Sequence, residues 1–335
     1  MRKATTLWSC RGITAILLAG MLVAPAEQAL AEPEAWRAEW PSTDFSASTV
    51  DLAEFLSGGP PKDGIPAIDR PVFAAPEAVD LAKREAVITV TSQGMARAYP
   101  LRVLMWHEIV NDTLGGQPIA VTFCPLCNTG IVFARELDGH TLDFGTTGKL
   151  RRSDLVMYDR QTESWWQQFN GEAIVGELAG ATLRMLPSRL ESYGMFLDRN
   201  EGRERQVLVP NDEGDRAYGR NPYTNYDDLS GRPFLYRGEL PDQLPPMARV
   251  VRVGDRAWSL ELLRQKGVIE TDGLRLSWQP GQASALDTTE IAGGRDVGNV
   301  VVERRTTEGW VDAIYSVDFA FAFHAFFPDK PIHVE

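Results

Sequence analysis

Two cysteines separated by two residues carry the sharpest chemistry in this chain. They lie in Val121-Thr-Phe-Cys124-Pro-Leu-Cys127-Asn128, and His107 stands a short way upstream in Leu104-Met-Trp-His107-Glu108. Cys10, the third cysteine, falls in an N-terminal segment with the marks of a leader. A Cys-x-x-Cys turn brings both sulfurs to one side of the backbone, so the pair spans one edge of a tetrahedral ion. An imidazole from His107 adds nitrogen. Two thiolates and one imidazole suit copper by softness and zinc by geometry. Copper is the favoured ion, because a structural zinc site wants four protein ligands and no fourth is certain here. Met105, Glu108, Asp154 and Met157 are the unranked candidates for an additional ligand or a supporting role.

The same cysteines admit two other uses. A thiol–disulfide oxidoreductase also employs Cys-x-x-Cys, with the motif opening a helix whose N-terminus lowers the first thiol's pKa. Here Thr129-Gly130-Ile131-Val132-Phe133 follows, which reads as strand and removes that helix. The third use is an inert disulfide that staples a turn inside a structural or interaction module. So short a loop adds modest stability.

The elements that must position these residues read as short strands and turns. Ala86-Val-Ile-Thr-Val-Thr91 is a strand, and Ala96 to Tyr99 is its hairpin partner. Pro100 suits a helix start, and Leu101, Leu104, Met105 and Glu108 recur at helical spacing, so His107 rides a short helix. Ile119-Ala-Val-Thr-Phe123 is the strand that delivers Cys124, and Ile131 to Phe133 is the strand that leaves. Asp138-Gly139 marks a hairpin turn, and Leu155 to Tyr158 pairs with Trp165 to Phe169. The fold class is therefore α+β, mainly β, with short strands, hairpins and few helices.

Residues 1–31 carry Arg2, Lys3 and Arg11, an apolar run from Ile13 to Val23, and Ala29-Leu30-Ala31 as an exit. That order describes a secretory signal peptide, and the apolar run is short for a membrane span. Its removal changes the formal charge from −12 to −14. The expected protein is exported, periplasmic or extracellular, with no membrane span left after cleavage. So acidic a protein is a poor ligand for nucleic acid; a metal ion, and another exported protein, are the expected partners.

Residues 32–75 form an irregular Pro- and Gly-rich lead-in, with Ile65, Ile68, Val72 and Phe73 as apolar anchors that fix it on the core. The remainder holds an internal pseudo-repeat. Gly94 to Leu104 matches Val253 to Leu263, and Ile119 to Pro125 matches Leu274 to Pro280. Residues 76–240 form the first repeat and residues 241–335 a degenerate, shortened second one. In the second copy Lys266, Gln279 and Gln282 stand where the first has His107, Cys124 and Cys127. A scaffold that builds without those three residues leaves them free for chemistry.

Other polar clusters have plainer readings. Arg151, Arg152, Ser153, Asp154, Asp159, Arg160, Thr162 and Glu163 crowd one hairpin, where a salt-bridged rim is the simplest account. Asp63, Asp69 and Arg70 read the same way, and His324 reads as a core histidine in the Phe-rich tail. Phosphate-loop, dinucleotide, zinc-protease and nucleophilic-serine motifs are absent.

Five stretches resemble the bacterial family named domain of unknown function 3179. They are Gly58 to Asp69, Ala98 to Asp112, Thr122 to Cys127, Ser153 to Trp165 and Tyr218 to Tyr223. The resemblance covers most of the chain beyond residue 31. It implies that these stretches belong to one domain type and supplies no reaction.

Overall fold

The computed structural model describes residues 33–211 and 216–335. The expected signal peptide lies outside them. Strands hold 40% of the chain and helices 13%, so the protein is mainly β. Its small, mostly antiparallel sheets stand in a ring, in a propeller-like arrangement. No helix among the described residues is long and apolar enough to cross a membrane.

The repeat is a repeat of topology. Strands Ala86–Ser92 and Met95–Pro100 form a hairpin that leads into helix Leu101–His107. Strands Ile109–Leu114, Gln117–Cys124 and Thr129–Ala134 follow as a meander. The second copy runs Arg249–Val253, Arg256–Ser259, helix Leu260–Lys266, Val268–Thr271, Leu274–Gln279 and Asn299–Thr306. Each copy then closes in the same way. Met185–Leu186 adds to the first meander and Gly309–Asp312 to the second. A further strand pairs antiparallel with the first hairpin strand, Arg189–Ser192 in one copy and Ser316–Phe319 in the other. A seven-residue helix comes next, Tyr193–Arg199 or Ala320–Phe326. A last strand then pairs parallel with the second hairpin strand.

The second copy thus has a counterpart of every element in this plan. Its shortness comes from what the first copy inserts. Between Ala134 and Met185 lie four strands of a five-stranded sheet built on the hairpin of Phe144–Arg151 and Asp154–Asp159. Phe55–Ser57 from the lead-in joins that sheet at its edge. Asp138 and Gly139 form a two-residue turn, both with positive φ, between paired Leu137 and His140.

The lead-in is fixed by its backbone. The Ile68 amide donates to Ile109 O, the Asn111 amide donates to Ile68 O, and the Asp63 amide donates to Thr146 O. These bonds satisfy a proline-rich segment that cannot form a regular element of its own. The tail splits at Phe319 into strand and helix, burying Phe319, Phe321 and Phe323.

Candidate dithiol–carboxylate site

Cys124 ends one strand and Cys127 lies in the turn before the next, since Cys124 pairs with Thr129 across the hairpin. The Asn128 amide donates to Pro125 O, and Asn128 adopts φ 54°, a conformation asparagine tolerates well. A β-turn over Pro125–Asn128 therefore follows Cys124, and the helix that a thioredoxin-like dithiol requires is missing.

This turn is held from below by the second repeat. Phe319 N donates to Cys127 O, Asn128 Nδ2 to Val317 O at 2.7 Å, and Thr129 Oγ1 to Asp318 Oδ1 at 2.9 Å. Arg252 Nε meets Asp318 Oδ2 at 2.8 Å, and both side chains are buried. The two halves of the chain are thus locked together under the cysteines.

Above the turn sits the inserted sheet. Arg152 and Ser153 connect its central hairpin, both with positive φ, as a tight two-residue turn requires. The Ser153 carbonyl faces Cys127 Sγ at 3.5 Å and Cys124 Sγ at 4.0 Å. Asp154 follows immediately. Ligand-type atoms of Cys124, Cys127 and Asp154 lie within 4.8 Å of one another, and all three residues are buried. Both cysteines are free thiols. Gln167 Nε2 and the Phe169 amide donate to Asp154 Oδ2 at 2.6 and 2.9 Å. Asp154 Oδ1 is buried without a partner. A buried carboxylate oxygen so placed is costly unless a proton from one of the neighbouring thiols or an entering ion satisfies it.

Glu108 adds a second carboxylate. The charge of Asp154 acts on Glu108, and the charges of Asp154 and Glu108 act on Cys124. Burial, then the charge of Asp154, pushes Glu108 up to about 8. Burial raises Asp154 to about 7 against the opposing bonds from Gln167 and Phe169. Burial likewise raises both thiols, Cys127 well above its ordinary range. All four groups therefore resist ionisation, and a cation bound among them would reverse that preference. Tyr223 and Tyr226 stand beside the acids and thiols, and Tyr226 Oη donates to Leu126 O at 3.1 Å.

His107 is not one of the converging groups. Its Nδ1 pairs with Pro66 O at 2.8 Å and its Nε2 with Tyr218 Oη at 2.6 Å, with the two rings stacked. The structure gives it the work of tying the lead-in and the Tyr218 segment to the end of its helix. The spatial reason is the helix itself. His107 and Glu108 are adjacent, and the chain turns between them, so one side chain serves these tethers while the other keeps company with Asp154 and Cys124. Met105 and Met157 are both buried in the main hydrophobic cluster.

The sequence shows the site's makers only in part. Asp154 and Glu108 stood among the unranked candidates. Ser153's carbonyl, Gln167 and the two tyrosines carry no motif of their own. One signal was available for Glu108. In the register that aligns His107 with Lys266, Glu108 falls on Gly267.

The arrangement defines a mainly-β ring protein with a buried thiol–carboxylate cluster. A family model described as a protein of unknown function (DUF3179) matches residues 62–330. The chain belongs to that family. All but the start of the first of the five resembling stretches lies within the match, and they meet in space: His107 bonds both Pro66 and Tyr218, while Cys124, Cys127 and Asp154 form the buried cluster. Neither the curated proteins nor the solved structures give a match.

Proposed function

We propose that this chain is an exported protein that binds a metal ion through Cys124, Cys127 and Asp154. One observation carries the reading. Asp154 Oδ1 is buried, unpartnered and grouped with two buried free thiols. Two thiolates alone favour Cu(I). A carboxylate in place of an imidazole moves the preference toward Zn(II), which accepts sulfur and oxygen together. The signal-like N-terminus supports export, with the metal ion and another exported protein as the expected partners.

A second reading keeps one observation in its favour. The two sulfurs lie within 4.8 Å of each other, so the pair could cycle as dithiol and disulfide. Raised thiol pKa values and the lack of a helix at Cys124 argue against a redox nucleophile.

The test is metal analysis and titration with Zn(II) and Cu(I) of the parent and of a Cys124→Ser, Cys127→Ser variant, beside thiol counting. Binding of one equivalent by the parent and none by the variant is the expected result. Equal metal in both removes the metal reading, and a disulfide in the purified parent with no bound metal favours the second.

A further inference from the structure

Three adjacent strands of the inserted sheet bring Arg151, Asp154 and Gln167 side by side. Arg151 pairs with Asp154 across the central hairpin, and Gln167 pairs with Val156, two residues along from Asp154. Directly opposed residues share a face of a sheet, and so do residues two apart on one strand. All three residues are buried, and their side chains form a chain of hydrogen bonds. Arg151 Nη1 donates to Gln167 Oε1 at 3.2 Å, and Gln167 Nε2 donates to Asp154 Oδ2 at 2.6 Å. The far end is anchored in the lead-in, where Glu54 Oε2 meets Arg151 Nη2 at 2.9 Å and Arg152 Nε at 3.1 Å.

Chemistry fixes the direction of this chain. A guanidinium donates and never accepts, and it keeps its charge in a protein. Arg151 therefore claims the oxygen of the Gln167 amide, which turns the NH2 group toward Asp154. The Phe169 amide, a donor by necessity, reaches the same Oδ2 at 2.9 Å. Each carboxylate oxygen offers about two lone-pair sites, so these two bonds fill Oδ2. Asp154 Oδ1 is buried without a hydrogen-bond partner among the described residues. It is the oxygen left to meet an ion beside the two thiols.

We propose that Arg151 and Gln167 are positioning residues that make Asp154 a one-oxygen ligand, through Oδ1, and so select a small divalent ion such as Zn(II) over a larger one. This rests on the metal reading above and names the class of ion. A tetrahedral ion takes a single carboxylate oxygen at about 2.0–2.2 Å. Larger ions use carboxylates through both oxygens as well as one, and here the second oxygen is already engaged. Freeing it would break two buried, charge-assisted hydrogen bonds.

The experiment uses the full chain with Zn(II) and Cd(II) as competing probes, because the two share charge and affinity for thiolate and differ in size. Arg151→Met leaves the Gln167 amide free to turn over, Gln167→Met removes its bond to Asp154, and Arg151→Lys restores a charged donor. The ratio of Zn(II) to Cd(II) affinity should fall about tenfold in Arg151→Met and Gln167→Met, and return toward the parent's value in Arg151→Lys. Loosened packing alone lowers both affinities together and leaves the ratio in place. A parent-like ratio in Arg151→Met or Gln167→Met, or an Arg151→Lys ratio shifted as far as that of Arg151→Met, overturns the positioning role and leaves the metal reading intact. Should neither Arg151→Met nor Gln167→Met fold, the crystal structure of the Zn(II)-loaded parent decides. Oδ1 alone on the ion, with Gln167 still on Oδ2, is the expected result; both oxygens on the ion, or Gln167 detached, overturns the proposal. A parent that binds neither ion overturns both readings.

Discussion

Glu108 and Gly267 occupy one position in two copies of the same structural unit, with the same backbone bonds and nearly the same dihedral angles. One copy fills that position with the residue the backbone favours, and the other with a buried acid. The comparison is internal to the chain, so solvent, temperature and fold are held constant.

Stability follows from it directly. A non-glycine residue at such angles costs roughly 1–3 kcal/mol, and glycine gives part of that back through its freer unfolded chain. Glu108→Gly should therefore stabilise the metal-free protein by about 1 kcal/mol. Urea denaturation with an unchanged m-value checks it. A lower midpoint would mean that the acid, rather than the backbone, is holding the helix end.

Acidity should strengthen the metal-free protein. Asp154 rises from its ordinary 3.8 to about 7 through burial, and Glu108 from 4.5 to about 8 through burial and then Asp154. The folded state then binds more protons than the unfolded state between these limits. Stability falls as pH rises through about 4 to 8, by an amount on the order of a few kcal/mol. Thermal midpoints at pH 5 and pH 8 test the sign. Asp154→Asn should flatten the slope, since an amide oxygen can still accept from Gln167 and Phe169.

Bound Zn(II) should invert that trend. The thiols and carboxyls must lose protons to coordinate, so affinity rises with pH and binding releases protons. Calorimetry in buffers of different ionisation enthalpy counts them. Proton release near zero would show that the ion sits elsewhere.

Native thiols should be shielded. Cys124 and Cys127 are buried, and their pKa values are raised, chiefly by burial. In metal-free protein an alkylating reagent should leave both unlabelled on the timescale that labels them in urea. Peptide mapping reads the result. Rapid native labelling of Cys127 would indicate an open turn.

His107→Ala should lower stability without emptying the site. It removes the pairings with Pro66 and Tyr218, worth about 1–3 kcal/mol together. Zn(II) stoichiometry should stay at the parent's value. A loss of bound metal at unchanged stability would return His107 to the ligand set.

The short-strand pattern, the Asp138-Gly139 turn, the hairpins and the strand that delivers Cys124 were all legible in the sequence. Each is a local matter: alternation, turn chemistry and β-branched content are written within a few residues. The repeat was legible too, through Ala98-Tyr-Pro-Leu against Ala257-Trp-Ser-Leu. What only the tertiary structure decided was which donors meet. Asp154 reaches the cysteines because an inserted sheet folds back over the Cys124 hairpin, and His107 turns to Tyr218 because the chain reverses after it. Contacts between residues far apart in sequence depend on how whole elements pack, and neither spacing nor periodicity encodes that packing.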